Sequence, residues 1–274
     1  TRRRSRASSR ASVRPTMPAP RMQMSGEMPM RLIVKADNTQ LCRAQSLMST
    51  ESDISATLAR LFVHPVKSCA GVELTEGQLV ETGLDLDRAW MVVDADGRFV
   101  SQRELPRMVL VQPRIKALEV VLRAPGMLAL HLGLNEVEKP ARATVWRDTV
   151  DCWDMGDVAA QWFSDFLGQP GLRLVRFDPE VRRLASAKWA GEVEAPIEFA
   201  DGFPLLVAST ASLAELNEKL QAAGHAPVGM ERFRPNLVLD GVQAQDEDRL
   251  AELRIAGADG EVVLRPVKPC PRCP

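Results

Sequence analysis

The chain has 274 residues, 45% of them hydrophobic and 26% charged, enough to bury one generous core or two modest ones. Its 35 Lys and Arg against 36 Asp and Glu leave a net charge of -1, which excludes nucleic-acid binding driven by bulk positive charge. No apolar run is long enough to span a bilayer, and five cysteines are too few for a disulfide scaffold, so a cytoplasmic protein with reduced thiols is expected.

Residues 1–31 carry eight arginines against one acid, Glu27, and show no apolar periodicity. Such a stretch cannot offset its ordering entropy by burial, so residues 1–55 are read as a basic leader, disordered or not native to the protein. Arg- and Ser-rich, acid-poor composition is also that of organellar transit peptides.

From Ala56 the pattern changes. "TLARLFVHPV" predicts a strand with Ala59, Leu61 and Val63 on one face, ending near Pro65. "VELTEGQLVETG" alternates again, and "RAWMVVDADGRFVSQ" is a hairpin around an Asp-Ala-Asp-Gly turn. Short strands broken by Pro and Gly follow through "LVQPRIKALEVVLRAPGMLALHLGL", and "RATVWRDTVDCWDMG" adds a pair. Many short strands without βαβ alternation point to a barrel or a strongly coiled sheet. Helices come later. Asp157 is placed to cap "VAAQWFSDFLG" with Gly168 as its stop. Ser212 and Glu215 have capping-box spacing before a Leu213, Leu216, Leu220 stripe. The charged stretch from Arg176 to Glu198 reads as a linking or lid-like loop. "FRPNLVLDG", "LAELRIAG" and "EVVLRPVKP" close the series as strands. The expected division is a leader over 1–55, one domain over 56–180 and a second over 181–274.

Chemistry-bearing residues fall into a few segments. Cys270 and Cys273 have CxxC spacing, open to four readings: half a zinc site, a dithiol pair, two packed residues, or one thiolate for a soft metal. "HPVKSCAG" offers Lys67 and Ser68 just past a strand, suited to a phosphate or another anion, or simply a surface turn. Arg88 either clamps an oxyanion or pairs with Asp85 or Asp87. Gln102, Arg103, Arg107, Arg232, Arg234 and Asn236 would complete a basic pocket if the fold gathered them. Trp90 and Trp162 read as core. Histidines 64, 131 and 225 lack metal-ligand spacing, and no glycine-rich phosphate loop, G-x-S-x-G or H-E-x-x-H is present.

Five segments in order, "RLFVHPVKSCAG", "GLDLDRAWMVVDADGRFVSQRELPRM", "FADGFPLLVASTASLAELNEKL", "ERFRPNLVLDG" and "VKPCPRC", resemble MOSC proteins with an N-terminal β-barrel domain. The group they are most similar to is the bacterial relatives of the mitochondrial amidoxime-reducing component. The resemblance implies a mostly β, α+β architecture, with an N-terminal β-barrel-like domain packed against a β-barrel-like MOSC domain. It implies a molybdenum cofactor of the pyranopterin (molybdopterin) type between them, and not pyridoxal phosphate. Cys273 would be the thiolate on molybdenum and the catalytic ligand. Lys67, Ser68 and Arg88 would contact the pterin or its phosphate, with Thr210, Ser212, Arg234 and Asn236 lining the same site. The implied activity is two-electron oxygen removal from N-hydroxylated small molecules such as amidoximes. Electrons would come from a partner protein or an appended ferredoxin domain, where any 2Fe-2S cluster would sit. A non-reducing molybdopterin-binding or sulfur-carrier module is the other implied role. Further strands are expected past residue 274, so the MOSC domain reads as incomplete, and Leu250 stands where a tryptophan is expected.

Overall fold

A computed structural model describes residues 32–35, 41–46, 53–257 and 260–270. Strands β1 (Leu32–Lys35), β2 (Leu41–Ser46) and β3 (Asp53–Val63) come first. They are followed by β4 (Val72–Leu74), β5 (Glu76–Val80), β6 (Gly83–Leu84) and β7 (Trp90–Val93). A meander of β8 (Gln112–Ile115), β9 (Glu119–Arg123) and β10 (Leu130–Gly133) leads to the hairpin of β11 (Lys139–Val145) and β12 (Asp148–Asp154). Helix α1 (Gly156–Leu167), strand β13 (Arg173–Phe177) and a single helical turn, α2 (Ala187–Ala190), come next. The chain continues through β14 (Val207–Ser209), α3 (Thr210–Ala222), β15 (Leu237–Asp240), β16 (Leu250–Gly257) and β17 (Gly260–Leu264).

The barrels expected for both halves are not there. Among the described residues the strands make four open sheets, ordered β1-β5-β6, β10-β9-β8, β11-β12-β13-β7 and β14-β15-β3-β2-β16-β17, with β4 on the flank of β3. Closure needs end strands that meet with a consistent stagger. Here the meander stops after three strands of four or five residues, and the long sheet ends on β14, which runs parallel to β15. A parallel pair requires a crossover, and α3 supplies it. The mixed, strand-rich α+β character stands; the closure does not. Two strands, β1 and β2, also fall inside the stretch read as a leader, and β2 bridges β3 to β16.

The four-stranded sheet explains the unbroken apolar run "WMVV". Trp90 and Val92 face a core completed by Phe163 and Phe166 of α1 and by the meander, while Met91 and Val93 face a second core with Val145, Cys152, Val175 and Phe177. A strand covered on both faces has no reason to alternate. Trp90 is fully buried and Trp162 nearly so, as expected of core residues. A third core lies under the long sheet, among Leu58, Leu61, Val63, Leu237, Leu239, Leu253 and Ile255, and Leu250 is buried in it.

Strict alternation failed at one place in β3. The pairing with β15 slips between Val238 and Leu239, so that Leu58 and Arg60 face consecutive partners and Ala59 is the extra residue. Such a bulge reverses the phase of the side chains. Leu58 therefore joins Leu61 and Val63 in the core, and Ala59 does not.

Helix ends differ in a similar way. Gly168 terminates α1 with φ 70°, as its sequence position suggests. Asp157 lies inside the helix, not at its cap, and the Gly156 amide donates instead to Asp154 Oδ1 at 2.7 Å. Ser209, three residues before Ser212, caps α3 by accepting the Ser212 amide at 3.0 Å. The Leu213, Leu216, Leu220 stripe is only half-buried. The Arg176–Glu198 stretch is fastened down by Arg183. This buried guanidinium donates to the carbonyls of Glu198 (2.6 Å) and Ala200 (2.8 Å) and pairs with Asp148 (2.8 Å).

Candidate functional site

The end of β3 and the start of β15 are antiparallel neighbours, so the segments that leave and enter them meet. Phe62 and Asn236 exchange contacts there, with the Phe62 amide donating to Asn236 O at 2.8 Å and Asn236 Nδ2 donating to Phe62 O at 3.2 Å. The chain then runs beside the entry to β7. The Arg88 amide donates to His64 O (2.9 Å), the Trp90 amide to Pro65 O (3.0 Å) and the Lys67 amide to Trp90 O (2.8 Å). A fourth segment joins where the Phe199 amide donates to Arg88 O at 3.2 Å. Backbone pairing thus brings residues 64–69, 87–90, 199–201 and 234–236 to one place.

Cations collect at this junction. Lys67 Nζ is buried and donates to Phe199 O at 2.8 Å and Asp201 Oδ1 at 2.5 Å. Arg88 pairs with the buried Asp87 and reaches Asn236 Oδ1 (3.1 Å) and Arg234 O (3.2 Å). Arg234 donates to Cys69 O. Asn236 is 1% exposed, and its Oδ1 also accepts the Leu206 amide at 3.1 Å, which fixes the amide orientation. Burial pushes the Lys67 ammonium down to about 8, opposed by Asp201 and reinforced by Arg88 and Arg183. Burial and the Arg88 charge bring Arg234 down to about 10. Both directions are those of cations crowded together out of water.

The strained backbone of the fold concentrates here. Ser68 (φ 68°), Arg88 (φ 55°) and Arg234 (φ 55°) are three of the six non-glycine residues in the left-handed region among those described. Each costs about 1–3 kcal/mol and persists only where the surroundings over-determine it. A fourth, Trp146 (φ 56°), sits in the two-residue turn between β11 and β12, where glycine is the usual choice. Its indole Nε1 donates to Asp201 Oδ1 at 2.8 Å, and its ring lies 4.8 Å from that of Phe99.

His64 is a scaffold residue. Its amide donates to Asp87 Oδ1 (2.7 Å) and Nε2 lies 3.2 Å from Pro235 O, leaving Nδ1 without a partner. Burial and the two arginines hold the ring neutral far below the usual histidine range. Gly71 is required beside it, because a Cβ there would come 2.6 Å from His64 Cε1. Cys69 is buried, its thiol pushed up to about 12, and packs as a small hydrophobe. Nearby, burial and Asp85 raise the Glu198 carboxyl to about 7, with Oε2 unpartnered.

The expected site residues therefore divide. Lys67, Ser68, Arg88, Arg234 and Asn236 converge. Thr210 and Ser212 stand at the opposite end of β14 and β15, where Thr210 bonds Asp240 and Ser212 Oγ accepts from Ser209 (2.9 Å) and the Gln245 amide (2.7 Å). Arg103 lies over Trp146 (5.8 Å), whereas Arg107 lies over Phe166 of α1 (4.6 Å), away from the junction. Cys270 is exposed, and Cys273 lies outside the described residues. Among the described residues no group of three or more His, Cys, Asp or Glu is placed to hold a metal ion, and no helix is long and apolar enough to cross a membrane. Asp201, Asp87 and Arg183 were not singled out from sequence as site residues, although Asp201 lies in the quoted "FADGFP".

Comparison with known proteins fits this arrangement. Residues 55–170 match the MOSC N-terminal beta barrel domain and residues 194–274 match the MOSC domain. Mitochondrial amidoxime reducing component 2 of Rattus norvegicus is 34% identical over 227 residues, covering 79% of this chain and 65% of that protein. Mitochondrial amidoxime-reducing component 1 of Homo sapiens is 33% identical, covering 79% and 64%. The molybdenum cofactor sulfurase of Bos taurus is 29% identical, covering 80% of this chain and 26% of its own. The chain thus spans about 65% of the length of the amidoxime-reducing relatives it matches. The cytoplasmic expectation is overturned, since those relatives are mitochondrial. By its two consecutive matches the chain belongs to the MOSC-domain proteins with an N-terminal MOSC domain, related to the amidoxime-reducing components.

Proposed function

We propose that the junction of Lys67, Arg88, Arg234 and Asn236 holds a pyranopterin molybdenum cofactor by its anionic end, and that the protein is an oxidoreductase for N-hydroxylated compounds. The observation that carries this reading is the convergence of three buried or part-buried cations from separate segments of the chain. That donor set fits a phosphate-bearing ligand, which ammonium and guanidinium groups bind with charge-assisted hydrogen bonds. Ser68 adds a hydroxyl at the same turn. Thr210 and Ser212 join the site only if the cofactor extends along β14.

The metal would take one protein ligand, the Cys273 thiolate, suited to a soft centre whose other ligands come from the pterin. When bound, the cofactor supplies two-electron chemistry: an amidoxime plus two electrons and two protons gives an amidine and water. The chain's own residues anchor, orient and exclude water. Electrons come from a donor protein or an appended ferredoxin domain. The amidoxime-reducing relatives support this substrate class. The likeness to molybdenum cofactor sulfurases supports the other role, a module that binds the cofactor or delivers sulfur without reducing N-hydroxylated compounds.

Benzamidoxime reduction by the full-length protein with a supplied donor separates the two. Turnover supports the reductase; retained cofactor without turnover supports the carrier. Cys273→Ser is expected to abolish turnover while leaving pterin bound, and full activity in that variant removes the ligand assignment.

A further inference from the structure

One anion already occupies the place where the cofactor's phosphate would meet Lys67. Asp201 Oδ1 accepts from Lys67 Nζ at 2.5 Å and from Trp146 Nε1 at 2.8 Å. Lys67 and its acceptor differ in burial. The Lys67 side chain is 7% exposed, whereas that of Asp201 is 66% exposed. A surface carboxylate is thus reaching inward to a buried ammonium. Residues 201–206, which lead from it to β14, are outside any helix or strand. The other charges facing Lys67, Arg88 and Arg183, are cations. With Asp87 committed to Arg88, Asp201 is the carboxylate bonded to the Lys67 ammonium. The Trp146 end of the contact is placed by that residue's left-handed turn backbone and by the tilted packing of its ring against Phe99.

We infer that Asp201 is an exchangeable internal anion, which fills the Lys67 subsite in the ligand-free chain and is displaced by a phosphate-type ligand. A buried ammonium without a counter-anion is unfavourable, so the fold supplies one that water can take back. An incoming phosphate replaces it at Lys67, and Asp201 swings outward on its loop, releasing the Trp146 indole. Asp201 is a competitor of the ligand and not one of its contacts. The inference rests on the anion site proposed above and adds to it a gate.

Inorganic pyrophosphate titrated into the full-length apoprotein tests this, by calorimetry and by tryptophan fluorescence. Asp201→Asn is expected to bind pyrophosphate about tenfold tighter than wild type, the scale set by removing one like charge from a partly exposed site. The wild-type fluorescence change on binding is expected to vanish in Trp146→Phe. Equal or weaker binding by Asp201→Asn, and likewise by Asp201→Ala, overturns the competitor role. If Lys67→Met binds pyrophosphate as wild type does, the anion site itself is misplaced, and the cofactor reading falls with the gate. No binding by wild type and Asp201→Asn alike also overturns the proposal.

Discussion

The parallel strands β14 and β15 have two ends built on different principles. At the entry to β15, Arg234 and Asn236 meet residues more than 140 positions away in sequence, and the contacts are cation to carbonyl and side-chain amide. At the exit of β14, Ser209, Thr210 and Ser212 meet Asp240, Gln245 and Glu247, at most 38 positions away, through hydroxyl contacts that cap a helix. The first end gathers three cations, Lys67, Arg88 and Arg234, with two carboxylates, Asp201 and Asp87. The second satisfies its own donors: Ser209 Oγ and its amide both bond Glu247, at 2.9 and 3.2 Å. That surplus, set against the self-sufficiency of the second end, is why the ligand is proposed at the first.

Substitutions can break or sharpen this contrast. The largest effect is expected from Arg88→Ala, which strands Asp87, 1% exposed, without its counter-charge. Loss of about 3–5 kcal/mol of stability in urea unfolding is expected, along with loss of bound pterin. Lys67→Ala strands the exposed Asp201 and leaves the buried Phe199 carbonyl without its side-chain donor, so a smaller stability loss is expected beside a cost to cofactor retention of about 1.5–3 kcal/mol. Unchanged pterin content in that variant counts against the anion site.

Glu198 supplies a pH test beside the cationic end. Its folded carboxyl titrates near 7, above the usual 4.5, so the folded state keeps a proton the unfolded state has lost. Stability then falls as pH rises from 4.5 to 7, and the deficit is full above 7. Glu198→Gln is expected to be more stable than wild type at pH 8, on the order of 1–3 kcal/mol, and equal to it at pH 4. The same difference at both pH values would show that Glu198 ionises normally. Smallest is Ser209→Ala, expected to lose about 1 kcal/mol through the helix cap while leaving pyrophosphate binding unchanged. A changed affinity would erase the distinction between the ends.

Much of the strand content was legible because short apolar segments were punctuated by Gly and Pro, and the hairpin at Asp94–Gly97 and the stop at Gly168 follow directly from turn chemistry. What escaped was non-local. The bulge at Ala59 depends on the partner strand, since it is defined by how Leu58 and Arg60 pair with consecutive residues of β15. Closure into barrels depends on where end strands fall, which no single segment encodes. Lys67, Arg88, Arg234 and Asn236 were legible through motif resemblance, and the structure adds what gathers them. Asp201 and Arg183 escaped because an Asp in a turn and an Arg in a charged stretch look solvated until the fold presses Lys67 and the 198–200 carbonyls against them.

The most direct test of the central claim is to purify the full-length protein from cells that make the cofactor and measure molybdenum and pterin per chain. The account expects near-stoichiometric amounts of both. Folded protein containing neither would contradict it.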